Sequence, residues 1–260
     1  MNRKELIKKI TKKKEFSNLP KKDVELAFEK FDREIYCDEE KVKLTRDLLR
    51  KVFSSFASQK ILSLKDKPAE WILRKHISTR ERLLSYNEIY KRILSDVGNK
   101  VNIFDLGAGV NGFSYNYFKE VGIDVNYIGI EAVGQLVDLM NFYFKKNKFR
   151  AKALHLSLFE LEEIKKTIKK QRGKKIVFLF KTIDSLEMLE RDYSKKLILE
   201  IAPFVDKIIV SFATRSFFKR EKFKARRNWI INFIKNNFKI LDDFEIGGEK
   251  YTVFQKGQTL

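Results

Sequence analysis

An α/β fold is predicted, with a helical N-terminal domain over residues 1–96 and a sheet domain over residues 97–260. Three observations predict it. Apolar residues recur at helical spacing through the first part, with no strand-like alternation. From Lys100 onward, short apolar runs alternate with helical stretches, the pattern of a mainly parallel sheet covered on both faces. The chain closes on two strand-sized runs separated by Gly247-Gly248, which read as a terminal hairpin.

In the first part the helical faces are Leu6, Ile7 and Ile10, then Val24, Ala27, Phe28 and Phe31, then Leu44, Leu48, Leu49, Val52, Phe53 and Phe56. Breaks fall at Asn18-Leu19-Pro20, at the acidic run 38–40 and at Lys67-Pro68. Ser78-x-x-Glu81 fits a capping box ahead of a helix over 83–94. Strands are predicted over 101–106, 126–131, 151–156, 175–182 and 206–213, and the hairpin over 238–244 and 250–255. Five parallel strands and an antiparallel pair make a seven-stranded, Rossmann-like sheet.

At 260 residues and 43% hydrophobic content the chain can bury a sizeable core. Its 55 Lys and Arg against 35 Asp and Glu leave a net charge of +20, which favours a polyanionic partner such as nucleic acid. The single cysteine, Cys37, excludes an internal disulfide framework and a cysteine-based zinc cluster. The basic start lacks the apolar region of a signal peptide, and no apolar run reaches membrane-spanning length. A cytoplasmic, monomeric protein with no membrane partner is expected.

The most informative stretch joins a strand to Asp105-Leu-Gly107-Ala108-Gly109, then to a helix and a second strand ending in Glu131. Glycines at such a turn let the backbone approach a ligand closely. A carboxylate at the next strand end is placed to accept hydrogen bonds from both hydroxyls of a ribose. This order resembles the S-adenosylmethionine site of class I methyltransferases. The resemblance implies S-adenosyl-L-methionine as cofactor, held by Asp105, Gly107, Ala108, Gly109 and Glu131, with Ser157 and Leu158 after the third strand. Ser157 stands where an acid commonly holds the adenine amino group.

Two basic segments are candidates for RNA contact. One is the N-terminal cluster Lys12, Lys13 and Lys14, with Lys8 and Lys9 nearby. The other follows the fifth strand and contains Arg215, Lys219, Arg220, Lys222, Arg226 and Arg227, interleaved with Phe217, Phe218 and Phe223. Cations interleaved with aromatics suit phosphate contacts combined with base stacking.

Four motifs occur in order: His76-x-Ser-Thr-Arg-Glu-Arg82, Asp105-Leu-Gly-Ala-Gly-Val-Asn-Gly112, Phe180-Lys-Thr182 followed by Leu186-Glu187 and Leu189-Glu190-Arg191, and Val210-Ser-Phe-Ala-Thr-Arg-Ser216. Their combination is similar to the Arm-type, aminoglycoside-resistance methyltransferases, which methylate a guanine at N7 in small-subunit ribosomal RNA. The resemblance covers roughly residues 70–256. It implies an S-adenosylmethionine-dependent enzyme acting on ribosomal RNA or the small ribosomal subunit, with His76, Thr79 and Arg80 beside the methionine end of the cofactor. Ala213 stands where the family usually has proline, and Phe217-Phe218-Lys219 replaces a glycine-bearing turn. Guanine N7 already exposes a lone pair, so no catalytic base is required and no single catalytic side chain is assigned. A methyltransferase for another RNA such as tRNA, and a catalytically silent RNA-binding protein on the same fold, are the competing expectations.

Overall fold

The computed structural model describes residues 1–54, 66–214 and 227–257. Its centre is one seven-stranded sheet of order β3-β2-β1-β4-β5-β7-β6. The strands are β1 (Lys100–Leu106), β2 (Asp124–Glu131), β3 (Ala151–His155), β4 (Lys175–Phe180), β5 (Lys207–Ala213), β6 (Phe238–Ile246) and β7 (Glu249–Lys256). The first five pair in parallel. The last pair is the hairpin that the sequence predicted, and its second strand inserts antiparallel against β5.

Among the described residues, six α-helices precede the sheet: α1 (Arg3–Thr11), α2 (Lys21–Glu29), α3 (Asp38–Leu49), α4 (Ala69–Lys75), α5 (Ile77–Arg82) and α6 (Tyr86–Ile93). The breaks have physical causes. Pro20 and Pro68 stand at the N-caps of α2 and α4, where a missing backbone donor costs nothing. The acidic run 38–40 forms the first turn of α3, where carboxylates favour the positive end of the helix dipole. Among and after the strands come α7 (Tyr115–Glu120), α8 (Gly134–Lys146), α9 (Leu161–Lys169), α10 (Ile183–Leu189), α11 (Tyr193–Ile201) and α12 (Asn228–Asn237). No helix among the described residues is long and apolar enough to cross a membrane.

Alternation along the central strands sends neighbouring residues to opposite faces. Ile103 and Phe178 point into a core shared with α1 to α8, while Phe104 and Val177 point into a second core under α9 to α12. Leu6, Ile10, Val24, Phe28, Val42 and Leu49 belong to the same cluster as Ile103 and Tyr251. The helical segment and the sheet therefore bury one continuous core.

The region around Ser78 departs from expectation. Helix α5 already starts at Ile77, with His76 at its N-cap, and α6 starts only at Tyr86. No capping box forms at Ser78 because its hydroxyl lies 3.0 Å from His76 Nδ1, while the Glu81 carboxylate pairs with Lys181.

Candidate active site

The strand order reverses between β1 and β4, so the C-terminal ends of β1, β2 and β4 border a crevice, the usual ligand position in open α/β sheets. Gly107 and Gly109, just past β1, have φ of +75° and +55°. That left-handed backbone is strained for any residue with a side chain. Space is tight for a side chain as well. A Cβ on Gly107 would come 2.8 Å from Thr182 Cγ2, and one on Gly109 would come 3.2 Å from the His76 ring. Thr182 Oγ1 donates to the Leu106 carbonyl at 3.0 Å, tying the end of β4 to the end of β1.

Glu131 ends β2 beside this turn. Its Oε2 accepts the Gly109 amide at 2.7 Å, and its Oε1 accepts the Val133 amide at 2.9 Å. Burial raises its pKa against these backbone donors. Each carboxylate oxygen keeps a further lone pair for a ligand hydroxyl. Glu131, Gly107, Gly109 and His76 line one cavity together with Leu158, and Lys181, Asp23 and Phe159 complete much of its wall.

His76 sits where α4 ends and α5 begins, with extended backbone between the two. Burial, with help from the charges of Arg82 and Lys181, lowers its pKa to about 3. The imidazole is thus neutral at physiological pH. Behind it lies a buried charged network. Arg82 Nε donates to Glu249 Oε2 at 3.1 Å, and Lys181 Nζ approaches the same oxygen at 3.0 Å and also pairs with Glu81. Arg82 Nη1 donates to Asn111 Oδ1 at 2.8 Å, and Asn111 Nδ2 donates to Asp105 Oδ2 at 2.7 Å. Lys181 adopts φ of +57°, a conformation held by its amide bonding to both Ser211 Oγ and the Ser211 carbonyl.

A model of the ribosomal RNA methyltransferase family (FmrO) matches residues 42–229, a span that includes the glycine turn, Glu131, His76 and Lys181. The chain belongs to this family. A curated relative, the 16S rRNA (guanine(1405)-N(7))-methyltransferase of Proteus mirabilis, is 40% identical over 60 residues. That match spans 23% of this chain and only 21% of the relative. Among solved structures, the 16S rRNA methyltransferase RmtF in complex with S-adenosyl-L-homocysteine is similar over 99% of this chain and 100% of its own, with TM-score 0.81 and 17% identity. The 16S rRNA methylase RmtB covers 99% of both chains, with TM-score 0.76 and 20% identity. At such identities these two likenesses establish the shared fold.

Within this family member, the structure brings His76, Gly107, Gly109, Glu131 and Leu158 together on the cavity wall. Other expected cofactor residues stand behind it. Asp105 accepts from Tyr127 and Asn111 and supports the turn from below. Thr79 Oγ1 donates to the Leu73 and His76 carbonyls, fixing the α4–α5 junction. Ala108 is buried against Gly129, with its amide on the Ile130 carbonyl. Ser157 Oγ accepts the Phe159 amide at 3.1 Å, and Arg80 lies off the described wall.

Sequence reasoning missed Lys181 and Asp23 as wall residues. Lys181 carried a signal, since it sits at the C-terminal end of a parallel strand inside a quoted motif. Asp23 carried none, because only tertiary packing brings α2 to the crevice.

Lys12, Lys13 and Lys14 are exposed, on the turn following α1. That turn docks near the crevice: Gln135 Nε2 donates to the Lys14 carbonyl at 3.3 Å, and the Gly134 amide to the Asn18 carbonyl at 3.3 Å. Arg227, a candidate RNA contact, is engaged within the chain. Its guanidinium pairs with Asp184 at 2.6 Å and donates to the Ala213 carbonyl at 2.8 Å, because the N-terminal end of α12 packs back on β5. Arg215, Lys219, Arg220, Lys222 and Arg226 lie outside the described residues.

Proposed function

We propose that this chain is an S-adenosylmethionine-dependent enzyme that methylates guanine N7 in small-subunit ribosomal RNA, acting as a cytoplasmic monomer on RNA or on the ribosomal subunit. The observation that carries the proposal is the coincidence of the family match with the crevice: the glycine turn, the strand-end carboxylate and His76 all fall inside residues 42–229. The Proteus mirabilis relative is named for the same atom and RNA class, and RmtF shares the fold in complex with the demethylated cofactor.

The residues fit such a cofactor. Gly107 and Gly109 line the cavity with left-handed backbone and no side chain, and Glu131 retains acceptor capacity for ribose hydroxyls. Bound there, the cofactor supplies an electrophilic methyl group. The chain's own part is alignment and exclusion of water. Neutral His76 covers the glycine turn without placing a like charge beside a sulfonium. The Arg82, Lys181, Glu81 and Glu249 charges neutralise one another, with Lys181 on the wall and the other three behind it. Guanine N7 attacks through its own lone pair, so no side chain must remove a proton first.

Binding of RNA is assigned to the lysines at 12–14 and, after β5, to Arg215, Lys219, Arg220, Lys222 and Arg226, with Arg227 set aside because its guanidinium is paired with Asp184. A substrate base must be unstacked before it reaches the crevice, at a cost of a few kcal/mol offset by phosphate contacts. Incubation of small ribosomal subunits, naked 16S rRNA and tRNA with labelled cofactor, followed by mass mapping, tests the proposal. A single N7-methylguanine in 16S rRNA is expected. Label confined to tRNA would overturn the substrate assignment, and absence of label with retained RNA binding would leave a silent RNA-binding protein.

A further inference from the structure

Asp23 lies on α2, outside the residues that match the family model, yet it lines the same cavity as Glu131. It is 2% exposed, and its Oδ2 has no hydrogen-bond partner. As the third residue of α2 it could serve merely as a first-turn acid favouring the helix dipole. Such acids stay hydrated. A carboxylate oxygen buried without a partner costs free energy that a dipole contact alone does not return.

We infer that Asp23 is the base-reading residue of the cofactor site, accepting a hydrogen bond from the exocyclic amine of adenine. This rests on the cofactor proposal above and names a residue that the glycine turn and the strand-end acid do not supply. The sheet order supplies the direction. The glycine turn follows β1, Glu131 ends β2, and Ser157 follows β3, so a nucleoside with its ribose on Glu131 extends its base toward the end of β3. Asp23 is found there, close enough to Ser157 for that hydroxyl to act on its carboxyl group. Ala132, Leu158 and Phe159 give the same cavity the apolar surfaces that ring faces need.

Chemistry fits the same direction. Ser157 can donate or accept and so does not by itself select one base, whereas an ionised carboxylate only accepts and favours an amino over a keto group. Burial, reinforced by the Glu131 and Glu160 charges, raises Asp23 to about 7 against the Ser157 hydroxyl and its own amide. Two acids in one cavity are relieved by a ligand that brings a donor to one of them and a positive sulfonium into their shared field.

Calorimetry with S-adenosylhomocysteine and S-inosylhomocysteine, which differ only at the base edge, tests the inference. The wild-type protein should prefer the adenine ligand. Asp23→Ala should bind it about tenfold more weakly, with little change toward the hypoxanthine ligand, because one charge-assisted hydrogen bond is lost. Asp23→Asn keeps the side chain's shape and offers both donor and acceptor, so it should narrow the preference by improving hypoxanthine binding. Selectivity unchanged in both variants, or equal weakening of both ligands, overturns the assignment to the base edge. If the folded wild-type protein binds neither ligand, the cofactor proposal falls and takes this inference with it.

Discussion

Arg82 and Glu249, 167 residues apart in the chain, meet at 3.1 Å with side chains only 3% and 1% exposed. They join the helical segment to the start of β7. Burial by itself would raise the Glu249 pKa, but Arg82 and Lys181 hold it below the usual carboxylate range. A depressed acid contributes stability above its unfolded pKa, and that stability is lost as the pH falls through the folded value.

Glu249→Gln should therefore be strongly destabilising, by about 3–5 kcal/mol, since it leaves the Arg82 guanidinium buried beside Lys181 without its shared counter-charge. Urea denaturation at neutral pH measures this. A loss below about 1 kcal/mol would mean that water reaches the network and replaces the carboxylate.

Gly107→Ala should destabilise the free protein by roughly 1–3 kcal/mol, because it adds left-handed strain to the Thr182 clash. Cofactor affinity should fall with it. Normal affinity with normal melting would show that the turn moves aside easily and that no close backbone approach is needed.

Two perturbed groups in the crevice, His76 and Asp23, should give opposite pH signatures. His76, lowered from the ordinary imidazole value to about 3, binds fewer protons folded than unfolded, so its contribution is lost as the pH falls below about 6.5. Its ring resonances should not titrate between pH 5 and pH 8 by NMR.

Asp23, raised to about 7, binds a proton that the unfolded chain has released, so its contribution is present at low pH and is lost as the pH rises from about 4 to 7. Relative to the wild type without ligand, Asp23→Asn should gain stability across that window, at about 1.4 kcal/mol for each unit of the shift. A pH-independent difference between the two proteins would show that Asp23 is hydrated.

Substitution of Lys12, Lys13 and Lys14 by alanine should lower 16S rRNA affinity and reduce the slope of log affinity against log salt by roughly 0.7–0.9 for each lysine that contacts a phosphate. Arg227→Ala should leave that slope unchanged while lowering thermal stability, because its guanidinium is already paired with Asp184. The reverse pattern in filter binding would move the RNA surface from the first turn to the end of the crevice.

Local signals account for what was legible in the sequence. The strands ending in Leu106 and Glu131, the glycine turn between them and the final hairpin each depend on residues close in the chain, through a two-residue period or a required backbone angle. His76 was also legible, through its motif. The capping box at Ser78 failed because its two side chains found better partners elsewhere, His76 Nδ1 and Lys181. The ion pair of Arg227, a candidate RNA contact, was not legible, since nothing near it in sequence announces Asp184, 43 residues away.

By itself, then, the sequence determined the sheet, the place of the ligand turn and the strand-end acid, because hydrophobic period and glycine geometry act over a few residues. Only the tertiary structure decided that Asp105 and Thr79 support the crevice from behind, that Glu249 pairs with Arg82 and with the wall residue Lys181, and that Asp23 faces the same cavity as Glu131. Those outcomes depend on how helices of one continuous core pack against the sheet, and burial, which sets the energy of each charge, exists only once that packing has formed.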